Sequence, residues 1–193
     1  MHDLKLSAVI LAGGRGRRMG MQNKGLLTLA QQPLVAHVIA RMSGQISRIV
    51  ISANDDLDAY RQFGLPVIQD RIAEYPGPLG GIYSVLQAEA CEWLITVPCD
   101  TPLLPLDYVQ RMCATMHGHS ACVAHDGVRL QSGFCLLQRS VLPQLEQTLQ
   151  AKQFAVHRFL ETIGAQVVDF SDEATAFINI NTPEELASLA TQK

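Results

Sequence analysis

The chain has 193 residues, a formal net charge of −3 and an apolar fraction of 48%. A chain of this length and composition can form a sizeable core, so we predict a single domain over residues 1–193. The weak negative charge argues against nucleic-acid binding, and no apolar run approaches the ~18 residues that a membrane span needs.

The first predicted element is a short apolar strand, Ala8–Leu11, followed by a glycine-rich loop that ends at Lys24. Glycine lets backbone amides approach an anion closely, and cationic side chains neutralise phosphate charge. The loop carries Gly13, Gly14, Gly16, Gly20, Arg15, Arg17, Arg18 and Lys24 and no acid. Its spacing matches neither GxxxxGK[ST] nor GxGxxG. We predict a triphosphate site contacted by Lys24 and Arg18, with a solvated basic turn as the alternative.

Strands and helices are predicted to alternate as far as Met116. The strands are Arg48–Ser52, Pro66–Gln69 and Trp93–Val97, and the helices are Pro33–Gly44, Asp55–Phe63, Leu79–Ala90 and Leu106–Met116. This alternation predicts a three-layer α/β fold, in which helices cover both faces of a mostly parallel twisted sheet. Ligands bind such sheets at the carboxyl ends of the strands, where the loop, Ser52, Asp70 and Asp100 are predicted to lie.

The pattern changes after residue 117, where two strands are predicted to pair around an Asp126–Gly127 turn. The predicted elements are the strands Ser120–His125 and Leu130–Leu137, the helices Val141–Gln150 and Phe154–Ile163, the extended segment Val167–Phe170 and a last short strand, Phe177–Ile180. We assign residues 1–117 to a nucleotide-binding half of the domain and residues 118–193 to an acceptor-side half.

Two asparagines near the C-terminus, Asn179 and Asn181, alternate along the last predicted strand, so their side chains share one face. Thr182, Pro183 and Glu185 follow and match a helix capping box, which has a purely structural explanation. A binding role and a structural role both stay open for the two asparagines.

Asp100 is the strongest candidate for a metal ligand. It follows a predicted buried strand and lies between Pro98 and Pro102 on a stiff segment. Mg²⁺ prefers one or two carboxylates together with phosphate oxygens, and Asp100 meets that demand; a turn or a helix cap is the alternative. Asp70 is either a solvated acid or an acceptor for ribose hydroxyl or base amino groups.

Four motifs resemble the molybdenum cofactor guanylyltransferases, a nucleotidyltransferase family, and together they span the chain. They are LAGGRGRRMGMQNK from Leu11 to Lys24, PGPLGG from Pro76 to Gly81, PCDTP from Pro98 to Pro102 and NINTPEEL from Asn179 to Leu186. The resemblance implies a Rossmann-like nucleotidyltransferase fold. It also implies transfer of GMP from Mg·GTP to the terminal phosphate of molybdopterin carrying molybdenum, which yields molybdopterin guanine dinucleotide and pyrophosphate.

The resemblance further implies roles for individual residues. Asp100 would bind Mg²⁺, with Mn²⁺ as a substitute, and would form the catalytic set with Lys24 and Arg18. The nucleotide and cofactor contacts would be Leu11, Ala12, Gly13, Gly14, Lys24, Ser52, Asp70, Asp100, Asn179 and Asn181. The family usually has aspartate where this chain has Asn23 and asparagine where it has Ser52, which leaves base selection open.

Other functions are also compatible with the sequence: use of CTP, a sugar 1-phosphate as acceptor, or a nucleotide-binding adaptor without catalysis. The LAGG and PGPLGG forms favour guanylyl transfer, and we expect transient contacts with proteins that insert the molybdenum cofactor. Five cysteines without CxxC spacing indicate free thiols. Met1–Lys5 lacks the apolar segment of a signal peptide, so we predict a cytoplasmic protein.

Overall fold

The computed structural model describes residues 5–13, 23–72 and 77–180. Its strands are β1 (Leu6–Leu11), β2 (Thr28–Leu29), β3 (Gln32–Pro33), β4 (Ile49–Ser52), β5 (Val67–Ile68), β6 (Trp93–Pro98), β7 (Ala121–His125), β8 (Leu130–Gln138) and β9 (Gln166–Asp169). Its α-helices are α1 (Leu34–Ser43), α2 (Leu57–Arg61), α3 (Pro78–Ala88), α4 (Tyr108–Thr115), α5 (Leu142–Gln150) and α6 (Val156–Thr162). Among these described helices, none is long and apolar enough to cross a membrane.

Seven of the described strands form one sheet in the order β5-β4-β1-β6-β8-β7-β9. β1 pairs in parallel with β4 on one side and with β6 on the other. β8 runs antiparallel to both of its neighbours, β6 and β7, whereas β9 is parallel to β7. The sheet is therefore mostly parallel, and the predicted β7–β8 pair is confirmed.

Helices cover both faces of this sheet, which explains why its strands are continuously apolar. On β1, Ala8 and Ile10 face a core shared with α1 and α4, whereas Val9 faces a second core shared with α3, α5 and α6. On α1, Val38 and Met42 are fully buried and lie four residues apart, so they occupy one face of the helix. The predicted three-layer architecture is confirmed.

The start of α2 differs from the predicted helix Asp55–Phe63. Asp56 has φ +52° and ψ +35°, a left-handed conformation that a right-handed helix cannot contain. α2 therefore begins at Leu57 and ends at Arg61. Its short length leaves one fully buried side chain, Tyr60, as its main anchor to the core.

The predicted last strand, Phe177–Ile180, is wrong. A 3-10 turn occupies Ser171–Phe177, and the chain then crosses the edge of the cavity without joining the sheet. Phe177 and Ile180 are buried, whereas Ile178 is 46% exposed, so burial recurs every three residues instead of every two. The Ile180 N–H donates to the carbonyl oxygen of Asp100 at 2.9 Å, which ties this segment to the end of β6.

Candidate functional site

A cavity of about 270 Å³ lies at the carboxyl ends of the central strands. Its described wall consists of Leu11, Ala12, Gly13, Asn23, Lys24, Ser52, Asp70, Gly77, Pro78, Gly81, Pro98, Cys99, Asp100, Gly133 and Asn179. Eight of the ten predicted nucleotide and cofactor contacts are in this set. The other two, Gly14 and Asn181, lie outside the described residues, as do Arg18 and the predicted capping box. The roles of all these residues stay predictions, but the sequence motifs converge on one cavity.

The cavity brings a lysine and a carboxylate together. The Lys24 Nζ atom lies 3.7 Å from the Asp100 Oδ2 atom, and the Asp100 side chain is only 9% exposed. Lys24 belongs to a 3-10 turn that directly follows the glycine-rich loop, and Asp100 lies two residues beyond the end of β6. The site therefore holds an ammonium group and a buried carboxylate near each other at the carboxyl ends of the strands.

Two hydrogen bonds fix the turn that carries Asp100. The Cys99 N–H donates to the Leu11 carbonyl oxygen at 3.1 Å, which extends the β1–β6 pairing by one residue. The Thr101 hydroxyl donates to the Pro98 carbonyl oxygen at 2.9 Å and closes the turn around Asp100. Burial raises the pKa of Asp100, and the nearby Lys24 ammonium opposes that rise. Asp100 therefore lies in a turn, and it also lines the cavity. Its role as a metal ligand stays a prediction.

The raised pKa of Asp100 predicts a pH-dependent cost to stability. Because the folded-state pKa exceeds the ordinary value of 3.8, the ionised carboxylate destabilises the fold at every pH above the folded-state value. We expect Asp100→Asn to increase the free energy of unfolding relative to the unsubstituted protein at neutral pH. The advantage should shrink as pH falls through the folded-state pKa and vanish below 3.8. Urea denaturation between pH 3 and pH 7, without nucleotide or metal, measures the difference in unfolding free energy between the two proteins. A difference that does not change with pH would contradict the raised pKa of Asp100.

A second carboxylate, Asp70, is clamped by Asn54. The Asn54 Nδ2 atom donates to Asp70 Oδ2 at 2.9 Å, and the Asp70 N–H donates to Asn54 Oδ1 at 3.0 Å. Burial raises the pKa of Asp70, and hydrogen bonds from Asn54 and Ser52 oppose the rise. Asp70 Oδ1 is buried with no hydrogen-bond partner in the described part of the chain. The clamp therefore fixes one face of this carboxylate and leaves one acceptor oxygen unsatisfied.

Asn54 is a residue that the sequence analysis did not single out. A Cβ atom at Gly13 would lie 3.2 Å from Asn54 Nδ2, so the side chain supports both the start of the first loop and Asp70. Its position two residues after β4 is a usable signal, because polar residues at that end of a parallel strand face the ligand crevice.

Gly133 is a second cavity residue that was not predicted from the sequence. A Cβ atom there would lie 2.8 Å from Pro98, and an isolated glycine within a strand often marks such a close approach.

The first loop leaves the sheet at Gly13. The Ala12 N–H donates to the Ser52 carbonyl oxygen at 2.8 Å, so this amide is already paired within the fold. The backbone groups of Leu11 and Ala12, which are predicted to contact the nucleotide, therefore belong to the hydrogen-bond ladder that extends β1. Gly13 is the first residue beyond these bonds, and a small residue is favoured there by its contact with Asn54. Of the three backbone contacts predicted here, Gly13 best suits an approach to phosphate.

Helix α3 begins at the cavity wall, and its first turn packs closely on β4. The turn has no acidic residue and no side-chain cap, and Gly77 precedes it with φ +64°. A Cβ atom at Gly81 would collide with the Ser52 hydroxyl oxygen. The helix therefore reaches the site only because residue 81 has no side chain.

This contact predicts a large difference between two glycine-to-alanine substitutions. Gly81→Ala should lower the free energy of unfolding by about 1–3 kcal/mol, because a methyl group is forced into a filled space. Gly44→Ala is the control: a Cβ there meets only an ordinary 3.9 Å contact, and the residue has φ −76°, so its effect should stay within about 1 kcal/mol. Urea denaturation measures both, and equal effects would exclude the close contact at Gly81.

The described residues contain no group of three or more His, Cys, Asp or Glu side chains that could enclose a metal ion. Mg²⁺ does not need such a cage, because it is bound in many sites by one or two carboxylates and substrate phosphates. Asp100 fits this mode, since its carboxylate lines the cavity and already attracts the cationic Lys24. The donor set is therefore compatible with a magnesium ion that arrives with a nucleotide.

A family model described as MobA-like NTP transferase domain matches residues 8–167. The chain belongs to this family. A protein from Vibrio parahaemolyticus named molybdenum cofactor guanylyltransferase is 44% identical over 188 residues, which cover 97% of this chain and 96% of that protein. A protein of the same name from Shewanella loihica is 39% identical over 188 residues and is covered to 96%, as is this chain.

A solved structure supports the fold of this MobA-like chain independently. The crystal structure of molybdopterin-guanine dinucleotide biosynthesis protein A from Archaeoglobus fulgidus superposes with a TM-score of 0.77 over 94% of this chain and 95% of that one. The two chains are 20% identical, so the likeness concerns the fold alone. This likeness confirms the predicted Rossmann-like nucleotidyltransferase fold. The family match and the curated relatives confirm the predicted enzyme class, a nucleotidyltransferase.

Proposed function

We propose that this protein transfers GMP from Mg·GTP to the terminal phosphate of molybdopterin that carries molybdenum. The observation that carries this proposal is the convergence of eight predicted nucleotide and cofactor contacts on one cavity, in a chain 44% identical to a molybdenum cofactor guanylyltransferase over nearly its full length. The products are molybdopterin guanine dinucleotide and pyrophosphate. Transient contacts with proteins that insert the cofactor, and the cytoplasmic location, stay predictions.

The reaction needs charge neutralisation more than covalent help. An oxygen of the acceptor phosphate attacks the α-phosphorus of GTP, the new P–O bond forms, and the bond from the α-phosphorus to the bridging oxygen of pyrophosphate breaks. Lys24 is suited to pair with the triphosphate, because its ammonium lies at the cavity wall beside the first loop. The Gly13 amide, at the exit of β1, is suited to donate to a phosphate oxygen.

Asp100 would hold the magnesium ion. When bound, the ion supplies Lewis-acid stabilisation of the charge that develops on the phosphate oxygens. In the chain itself, Asp100 is held by the Cys99 and Thr101 hydrogen bonds, so its carboxylate is positioned before the substrate arrives. Mn²⁺ should substitute, because it also accepts carboxylate and phosphate oxygens.

Asp70 and the start of α3 provide a place for the nucleoside. Asp70 lines the cavity, so its carboxylate is placed to accept from ribose hydroxyls or from the guanine N1–H and amino groups. Asn54 donates to one oxygen of this carboxylate, which fixes the orientation of the Asp70 side chain. Ser52 lies between Asp70 and Gly81, where the longer asparagine common in the family would meet a tightly packed helix turn. The acceptor-side role of Asn179 stays a prediction, supported by its place at the cavity wall.

Competition binding tests the choice of base. A fluorescent GTP analogue is displaced from the protein by GTP, CTP, UTP or ATP, each with the same concentration of Mg²⁺. We expect GTP to displace it at a concentration at least tenfold lower than the other three nucleotides. Equal displacement by all four would remove the guanine assignment, and preferential displacement by CTP would favour cytidylyl transfer.

A further inference from the structure

We propose that Tyr60 is a positioning residue for Lys24 and acts through the two residues that flank this lysine. The inference rests on the proposed function, because it presumes that Lys24 contacts the triphosphate. Tyr60 lies on α2, outside the motifs that indicated the nucleotide site. Its side chain does not line the cavity within the described part of the chain, so it is not itself a substrate contact.

The first contact joins Tyr60 to the residue before Lys24. The Tyr60 hydroxyl donates a hydrogen bond to Asn23 Oδ1 at 2.6 Å, across 37 residues of sequence. Tyr60 is fully buried, and its ring packs in the core of the α1 and α4 face of the sheet. Asn23 lies at the cavity wall. A side chain anchored in the core therefore fixes the last residue before the lysine.

The second contact joins Tyr60 to the residue after Lys24. A Cβ atom at Gly25 would lie 2.6 Å from the Tyr60 hydroxyl oxygen and 3.0 Å from Cys99 Sγ. The backbone of residue 25 thus rests directly against the phenol and against the neighbour of Asp100. The same hydroxyl constrains both residues that flank Lys24, and Cys99 links that constraint to the segment that carries Asp100.

The local backbone transmits this constraint to Lys24. The Leu26 N–H donates to the Asn23 carbonyl oxygen at 3.0 Å, and the Leu27 N–H donates to the Lys24 carbonyl oxygen at 3.1 Å, so residues 23–27 form one tight turn. A lysine side chain has a flexible four-carbon stem and loses much rotamer entropy when it binds a phosphate. Because the backbone of residue 24 is already fixed, binding adds no backbone ordering to this side-chain cost. Burial also raises the pKa of Tyr60, which keeps the hydroxyl protonated as a donor.

The test is a double-mutant cycle on nucleotide affinity. Tyr60→Phe removes only the hydroxyl, and we expect it to weaken Mg·GTP binding about three- to tenfold, the value of one typical hydrogen bond. In a Lys24→Ala background the same substitution should change affinity less than twofold, because the group that it positions is gone. A merely structural hydroxyl would weaken binding equally in both backgrounds, and that result would overturn the proposal.

Three further variants test whether Tyr60 acts through Asn23 and whether the effect is specific to Tyr60. Asn23→Ala should weaken binding as much as Tyr60→Phe, and the double variant should weaken it no more than either substitution alone. Tyr108→Phe is the matched control, because Tyr108 is also fully buried and its hydroxyl donates to the Thr96 carbonyl oxygen at 2.9 Å, within the sheet core. It should lower thermal stability about as much as Tyr60→Phe while leaving affinity unchanged.

The outcomes separate this inference from the proposed function. If Lys24→Ala does not weaken Mg·GTP binding, the proposed function loses its phosphate contact and the positioning role is overturned with it. If Lys24→Ala weakens binding but Tyr60→Phe does not, only the positioning role of Tyr60 is overturned.

Discussion

Asp100→Asn is expected to lower the turnover of guanylyl transfer by about 10³-fold. The carboxylate is the group that would hold the magnesium ion, and Lewis-acid stabilisation of a phosphoryl transition state is worth several kcal/mol, with each ~1.4 kcal/mol changing the rate tenfold. The amide keeps the shape of the side chain but loses its charge. Steady-state release of pyrophosphate from Mg·GTP in the presence of the acceptor measures the effect.

The stability of this variant makes the result easy to interpret. Because burial raises the pKa of Asp100, the neutral amide should leave the folded protein as stable as before or more stable at neutral pH. Asp58→Asn is the matched control, since the Asp58 side chain is 95% exposed on α2 and should leave turnover unchanged. An Asp100→Asn variant that retains normal turnover would contradict the catalytic role. For an adaptor without catalysis, the same substitution should barely change the binding of partner proteins.

Lys24→Ala has the second largest expected effect, on nucleotide binding. Loss of a charge-assisted phosphate contact should cost about 1.5–3 kcal/mol, which corresponds to an affinity roughly 10- to 100-fold lower. The structure sharpens this expectation, since the ammonium already lies in the cavity, 3.7 Å from Asp100. Isothermal titration of Mg·GTP at moderate and at high salt measures the change, and the difference between the two proteins should narrow as salt rises.

A charge-matched control excludes a general electrostatic effect. Lys5 precedes β1 at the end of the strand opposite the cavity, so Lys5→Ala removes the same charge far from the proposed phosphate contact. Its affinity for Mg·GTP should match that of the unsubstituted protein. Equal losses in the two variants would show that net charge, and not a phosphate contact, determines nucleotide affinity.

The sequence was sufficient for features that depend on local patterns. The run Ile49–Ser52 has branched apolar residues at consecutive positions, which indicates a strand covered on both faces, and the structure places helices on both sides of it. Ser52 ends β4 and Asp70 lies just after β5, and these two strands are neighbours in the sheet. The general rule for the carboxyl ends of parallel strands therefore predicted correctly that the two residues lie in one cavity. These inferences needed the order of elements but no detailed packing.

The missed features depend on contacts between distant parts of the chain. Asn54 could be placed after a strand, but its clamp on Asp70 exists only because β4 and β5 pair side by side. In the sequence, Tyr60 has the pattern of any core-facing residue of a short helix. Only the folded structure shows that its hydroxyl contacts Asn23. The error at Phe177–Ile180 has the same origin. Phe177 and Ile180 are buried in a segment that packs beside the site, and an apolar pattern alone does not distinguish such a segment from a strand.

The most direct measurement follows the phosphates of GTP separately. The protein is incubated with Mg²⁺, molybdopterin carrying molybdenum, and GTP labelled with ³²P at either the α or the γ position, and the products are separated by chromatography. We predict that the α label moves into the pterin dinucleotide, that the γ label leaves entirely as pyrophosphate, and that the two yields are equal. A γ label released as inorganic phosphate, or no α label on the pterin, would contradict guanylyl transfer at this cavity.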